Sequence, residues 1–285
     1  MLIIFIFLNE NSYWLCIYRV NIFKETQNQI EKLKIRKINY LCTQIIILKI
    51  NRQEKVSTRN KLQKFAKLLT YSHVFENFSY ENPQLHGQDG EKIDLTGKWQ
   101  EAHFKNENPI TLELACGRGE YTVALAERFP NRNFIGVDIK GARIWKGATE
   151  AIERGLKNAA FLRTRIEIIA PFFAENEIDE IWLTFPDPFL RDSKSNRRLT
   201  SPYFLNIYRC FLKKGGIIHL KTDSPDLYKF TLLTISEDPK CELLYTSEDI
   251  YAAPLAYSEL EVQTYYEVKN ISKSGVSKYI RFKIN

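Results

Sequence analysis

From residue 110 onward, short apolar runs alternate with segments of helical periodicity, and this alternation constrains the fold more than any other feature. ITLEL (110–114), NFIGVD (133–138), AAFLRT (159–164), IDEIWLTF (178–185) and GGIIHLKTD (215–223) read as strands. EYTVALAERF (120–129), residues 141–155, a short segment at 166–174 and Thr200 to Leu212 read as the helices between them. Thr200 or Ser201 is placed to cap the last of these, with Pro202 in its first turn. A helix from Asp226 to Ser236 and strands near 241–246 and 276–284 follow. Such alternation predicts a mostly parallel sheet covered on both faces. In such sheets a ligand sits beyond the carboxyl ends of the strands, at the switch point. The ends to inspect are Glu113, Asp138, Thr164 with Arg165, Asp187 and Asp223.

Charge narrows the choice of partner. The net charge is +7, but residues 1–55 hold nine Lys/Arg against four Asp/Glu, leaving 32 against 30 for the rest. Any basic surface in the body is therefore local rather than global. Five scattered cysteines with no C-x-x-C, and four histidines far apart in sequence, indicate neither a disulfide framework nor a metal site. Reduced thiols in a cytoplasmic protein are the plain expectation.

The leading segment stands apart. MLIIFIFL is eight residues long and is broken by Asn9, Glu10 and Asn11, which is too short for a membrane helix of about 20 residues. No Lys or Arg precedes it, as a signal peptide would require. Residues 1–55 are expected to be an atypical extension lying ahead of a true start near Val56, or else a helical arm. Residues 56–108 read as a basic arm and entry segment, and 109–285 as the main domain. Within the arm, Leu62, Phe65, Ala66 and Leu69 fall at helical spacing beside Arg59, Lys61, Lys64 and Lys67. This basic amphipathic stretch suits either RNA contact or a solvated helix face. Residues 71–108 read as loop.

LELACGRGEYT (112–122) runs from strand to loop to helix, the order a nucleotide-binding turn requires. Gly117 and Gly119 leave room for close backbone approach. Asp138 ends the next strand, nineteen residues after Gly119, where a carboxylate can hold both hydroxyls of a ribose. The alternative is a loop carboxylate that caps the following helix. A dinucleotide would set its pyrophosphate at the helix N-terminus. Glu113 and Glu120 flank that position and would repel it. They suit a cationic or amino-bearing ligand such as the methionine end of S-adenosylmethionine.

Asp187 sits between Pro186 and Pro188, which fix φ and remove two backbone donors. It is a stiffly held carboxylate at a strand end, able to accept from a base amide or an amine. The alternative is a structural turn. Arg191, Lys194, Arg197 and Arg198 follow, against Asp192 alone. A basic loop beside a pocket reads as a phosphate-backbone contact or as a solvated loop.

With FPDPF and RRLT around Asp187, HLKTDSPDLY (219–228) and QTYYEVK (263–269), the chain resembles the bacterial tRNA (guanine-N7-)-methyltransferases from about residue 59 to the C-terminus. The resemblance implies a Rossmann-like class I methyltransferase fold, with a seven-stranded, mostly parallel sheet and helices on both faces. It implies S-adenosyl-L-methionine as co-substrate, no metal, tRNA as partner, no membrane, and a monomer or homodimer. The target would be N7 of a variable-loop guanosine, position 46. Glu113 and Asp138 match donor-binding positions, together with the glycine loop, and Asp187 matches the catalytic aspartate beside the donor. Arg191, Asp223, Thr264 and Glu267 match substrate-binding positions. Departures are Ala115 at the first glycine of E-x-G-x-G-x-G, Phe189 for Trp, and Lys194 and Ser195 for histidines. Arg165 stands on the adenine side where the family carries Asp or Asn. The competing expectations are a class I methyltransferase with another substrate and a non-catalytic RNA-binding scaffold.

Overall fold

A computed structural model describes residues 61–268 and 275–285 of the chain. The expectation for residues 1–55, and the first residues of the basic arm, lie outside the described residues. Residues from Arg59 to Asn285 pack as one compact unit.

The amphipathic stretch folds as helix α1, Lys61–Leu68. It is followed by two short strands, β1 (Val74–Asn77) and β2 (Leu85–His86), and a π-helical turn, Trp99–Phe104. The regular alternation comes next: β3 (Ile110–Leu114), α2 (Glu120–Arg128), β4 (Asn133–Asp138), α3 (Gly141–Glu153), β5 (Ala159–Arg163) and β6 (Ile178–Thr184). After it come α4 (Pro202–Tyr208), β7 (Leu212–Thr222), α5 (Pro225–Glu237), β8 (Cys241–Ser247), the single turn α6 (Tyr265–Val268) and β9 (Lys278–Ile284).

The sheet has nine strands in the order β2-β1-β5-β4-β3-β6-β7-β9-β8, not seven. The two extra strands come from the stretch read as loop. Val74 to Glu76 run parallel to Phe161–Arg163, and β2 folds back antiparallel on β1. Strands β1 and β3 to β7 are parallel with their neighbours among themselves, and β9 and β8 add antiparallel at the far edge. The chain moves outward from β3 to β4 and β5, then returns to lay β6 against the other side of β3. That reversal makes the β3/β6 boundary the switch point.

Alternation along each strand feeds two apolar layers. Ile135, Val137, Ala160 and Leu162 enter one, with Phe204, Tyr208, Leu227 and Trp99. Phe134, Ala159, Phe161 and Trp182 enter the other, with Leu68 of α1, Tyr121 and Leu125 of α2, and Ile144 and Ala148 of α3. All five residues of β3 and all six of β4 are buried, as a strand covered on both faces requires. Some boundaries differ from the expected ones. The segment at 166–174 is two 3₁₀ turns, and β7 begins at Leu212, which shortens α4. Ser201 occupies the cap position of α4, yet its hydroxyl donates to Asn196 O at 3.0 Å instead of accepting from the helix.

Candidate active site

The glycine loop leaves β3 through three left-handed residues: Ala115 at φ 60°, Gly117 at 57° and Gly119 at 70°. Gly119 is required by packing. A Cβ there would lie 2.5 Å from the ring of Phe161 and 3.3 Å from Cα of Gly147. Gly147 in α3 is the reciprocal requirement, since its Cβ would meet Arg118 O at 2.6 Å. Gly119 is therefore required by the close approach of α3 to the loop, independently of any ligand. Asp138 fixes the same loop from the next strand. Its Oδ2 accepts from Gly117 N at 3.0 Å and its Oδ1 from Lys140 N at 2.7 Å. It thus ties the glycine loop to the turn ahead of α3 without capping that helix, and each oxygen keeps a further lone pair for a ligand hydroxyl.

Glu113 is buried beneath this loop. Oε2 accepts from Thr122 N at 2.9 Å and Thr122 Oγ1 at 2.5 Å, and Oε1 accepts from Thr184 Oγ1 at 2.6 Å. Burial pushes its carboxyl up to about 7, against the pull of these donors. Glu113 ties β3, α2 and β6 together under the site and does not line the cavity described below.

Beyond Thr184 the chain turns through FPDPF. Both flanking phenylalanines take positive φ, Phe185 at 46° and Phe189 at 41°, so the loop carries backbone strain on each side of the prolines. Asp187 is exposed, and its Oδ1 accepts from Phe189 N at 3.2 Å. Arg198 holds the loop from behind. Its Nε donates to Pro188 O at 3.1 Å, its Nη2 to Phe189 O at 3.1 Å, and its guanidinium lies 4.4 Å from the centre of Phe230. Arg198 is 6% exposed, which corrects its assignment as a phosphate contact: it is buried, and its Nε and Nη2 donate to the loop's own carbonyls. Arg191, Lys194 and Arg197 remain exposed, and Arg197 stacks on Phe189 at 4.6 Å.

A cavity of about 320 Å³ opens at the carboxyl ends of β3 to β6. It is lined by Ala115, Asp138, Ile139, Thr164, Arg165, Ile166 and Glu167 from the ends of β3 to β5, and by Asp187, Phe189, Arg197, Leu199 and Phe204 from the segment after β6. The predicted residues it brings together are Asp138, Arg165, Asp187 and Arg197. Glu113, Gly117, Gly119, Arg191, Lys194, Arg198, Asp223, Thr264 and Glu267 are not among its lining residues. The cavity's size and its mainly apolar walls with few carboxylates fit a small organic ligand. Glu167, two residues past Arg165, is a further lining carboxylate, beyond those expected from the sequence. Its signal was its place just beyond a strand end.

Thr264 and Glu267 form a capping box at the start of α6. Thr264 N and Oγ1 donate to Glu267 Oε2 at 2.8 and 3.1 Å, and Glu267 N donates to Thr264 Oγ1 at 3.4 Å. The other oxygen, Oε1, lies 2.7 Å from Lys221 Nζ and accepts from Tyr251 Oη at 2.8 Å. Lys221 is fully buried, and burial pulls its amine down while Glu267 holds it up. This ion pair, unread in the sequence, docks α6 on the end of β7.

Fold, glycine loop and cavity define a class I methyltransferase of Rossmann-like architecture. A methyltransferase family model matches residues 107–279. The chain is 50% identical over 224 residues to the tRNA (guanine-N(7)-)-methyltransferase of Bacteroides fragilis, covering 79% of this chain and 85% of that protein. It is 45% identical over 233 residues to that of Christiangramia forsetii, covering 80% of this chain and all of the relative. The chain belongs to the tRNA (guanine-N7-)-methyltransferase family. Among solved structures, a 16S rRNA methyltransferase, KamB, superposes with a TM-score of 0.50 at 14% identity, over 68% of this chain and 96% of that one, a likeness of fold.

Proposed function

We propose that the chain methylates N7 of a variable-loop guanosine, position 46, in tRNA, with S-adenosyl-L-methionine as methyl donor. The observation that carries this reading is the cavity that Asp138 and Asp187 share at the switch point of the sheet. In this reading residues 109–285 carry the chemistry, 56–108 form a basic arm and entry segment, and 1–55 precede it as an extension. The protein works in the cytoplasm on tRNA, as a monomer or homodimer.

The lining fits the donor. Asp138 keeps acceptor capacity on both oxygens for a ribose diol, and Ala115, Ile139 and Ile166 offer an apolar wall for a purine. Gly117 and Gly119 shape the loop beside it, Arg165 borders the purine side, and Glu113 stabilises the loop from beneath. When bound, the donor supplies an electrophilic sulfonium methyl group. Guanine N7 carries an in-plane lone pair and needs no deprotonation, so the protein's contribution is proximity and alignment. Asp187 orients the base by accepting from its N1–H and amino edge. Asp223 adds a carboxylate to the substrate side, and Thr264 with Glu267 shapes that side through α6. Arg191, Lys194 and Arg197 engage phosphate. Extracting the base from the tRNA core costs energy that these contacts must recover.

The test is incubation of unmodified tRNA with labelled donor, read by N7-specific chemical cleavage. Cleavage at the variable-loop guanosine is expected. Label incorporated elsewhere, or none, refutes the reading.

A further inference from the structure

The segment joining β1 to β2 carries two large aromatic rings that the proposed reaction leaves unused. Phe78 is 59% exposed and Tyr80 58% exposed. Hiding such rings stabilises a fold by about 1.5–3 kcal/mol each, so two left outside on one short loop call for a partner. The loop that presents them is stiff. Asn77 Oδ1 accepts from Ser79 N at 3.2 Å and Gln84 N at 3.1 Å, Asn77 Nδ2 donates to Ser79 O at 2.9 Å, and Asn82 N donates to Ser79 Oγ at 3.0 Å. Phe78 packs against the His86 ring at 5.1 Å.

Two contacts fasten this loop to the rim of the cavity. Asn77 Nδ2 donates to Thr164 Oγ1 at 3.2 Å, and the Arg165 guanidinium lies 5.8 Å from the centre of Tyr80. Thr164 and Arg165 both line the cavity. Local charge decides what the surface accepts. Glu81, Asp89 and Glu91 outnumber Lys92 and Arg165 around these rings, so a phosphate finds little net attraction there. A flat, uncharged π-face meets no such penalty. Exposed rings on a pre-ordered support, with a guanidinium stacked beside them, are the surface on which unpaired bases stack.

We propose that Phe78, Tyr80 and Arg165 form a stacking platform for an unpaired nucleobase of the tRNA, outside the pocket that takes the target guanine. The proposal rests on the tRNA-methylating reading above. It is tested with the full chain as wild type, Tyr80→Ala, Phe78→Ala and Tyr80→Trp. Three quantities are measured: tRNA affinity against salt, S-adenosylhomocysteine affinity by calorimetry, and melting temperature. Each alanine variant is expected to weaken tRNA binding by about 5- to 150-fold. The salt slope stays at its wild-type value, because a ring neutralises no phosphate. S-adenosylhomocysteine affinity and melting temperature stay at wild-type values, and Tyr80→Trp restores tRNA binding. Wild-type tRNA affinity in both alanine variants overturns the platform. So does a lost S-adenosylhomocysteine affinity with intact tRNA binding, which would assign Tyr80 to the donor's adenine. A lowered melting temperature that Tyr80→Trp corrects without recovering tRNA affinity also overturns it. Wild-type protein that binds S-adenosylhomocysteine but no tRNA overturns the reading of the reaction itself, and the platform with it.

Discussion

Lys221→Met removes one charge from an otherwise closed box and keeps most of the side chain's volume. Lys221 has no exposed side-chain surface, and Glu267, 2.7 Å away, has 5%. The lysine also donates to Val262 O at 3.0 Å. Deleting the amine strands a buried carboxylate, which costs about 3–5 kcal/mol when no other donor answers. Thr264 N and Oγ1, Tyr251 Oη and Ser277 Oγ still donate to Glu267, which places the expected loss at the lower end, about 3 kcal/mol. For a domain of this size that is a fall in melting temperature of about 6–12 °C. Glu267→Gln, introduced second, removes the stranded charge and keeps a side chain of the same shape. The double variant is expected to recover at least about half of the loss, about 1.5 kcal/mol, so the coupling in a double-mutant cycle is about 1.5 kcal/mol plus whatever Glu267→Gln costs alone. Thermal melts of the four proteins decide it. Melting temperatures that simply add, or a single Lys221→Met variant that melts like wild type, refute the ion pair as the anchor of α6.

Asp187→Ala is expected to abolish methyl transfer while calorimetric binding of S-adenosylhomocysteine is kept, since Asp187 reaches the cavity from the loop side; wild-type turnover removes it from the site. Arg197→Ala should lower the salt slope of tRNA binding by roughly 0.7–0.9 with an unchanged melt. Arg198→Ala should instead lower the melting temperature, because Pro188 and Phe189 carbonyls lose their donor; an unchanged melt contradicts its scaffold role. Ala115→Gly relieves a left-handed alanine and should raise stability by about 1 kcal/mol, seen as a melt about 2–4 °C higher. Glu113 gives a pH signature. Its folded carboxyl sits at about 7 against 4.5 for the free group, so the folded state holds the proton more tightly. Its stabilising contribution, about 3 kcal/mol at most, is present below pH 4.5 and is lost as pH rises through about 7. Glu113→Gln should erase that component from melts taken between pH 5 and 8.

The strands β3 to β7 were legible because each is an apolar run bounded by turn residues, and the strand-end rule then led to Asp138, Arg165 and Asp187. Strands β1 and β2 were not. VFEN is four residues long, its last position is half-buried, and it lies among Gly, Pro and acidic residues that read as loop. What makes it a strand is the free edge of β5, a tertiary fact. Lys221 was hidden in the same way. Inside IIHLKT it looks like the solvent-facing residue of an alternating strand, and only Glu267, far along the chain, explains how a lysine can be buried there. Arg197 and Arg198 are adjacent and identical in type, so charge patterning treats them alike. The chain's path turns one toward the cavity and the other onto the FPDPF carbonyls.

The acidic strand ends show how one residue type is sorted into different work. Glu113 accepts from three donors and is closed to solvent. Asp138 accepts from two backbone amides, one on each oxygen, and borders the cavity. Asp187 accepts from one amide on a single oxygen and is exposed. Each internal donor satisfies a lone pair that a ligand would otherwise compete for, so capacity for ligand rises in the order Glu113, Asp138, Asp187. Availability alone would leave Asp187 mobile, and the loop counters this. Two prolines, two strained phenylalanines and the buried Arg198 fix the backbone that carries it. Of the three, the carboxylate with the most unused acceptors is thus mounted on a constrained turn, a combination suited to the base-orienting role proposed for it.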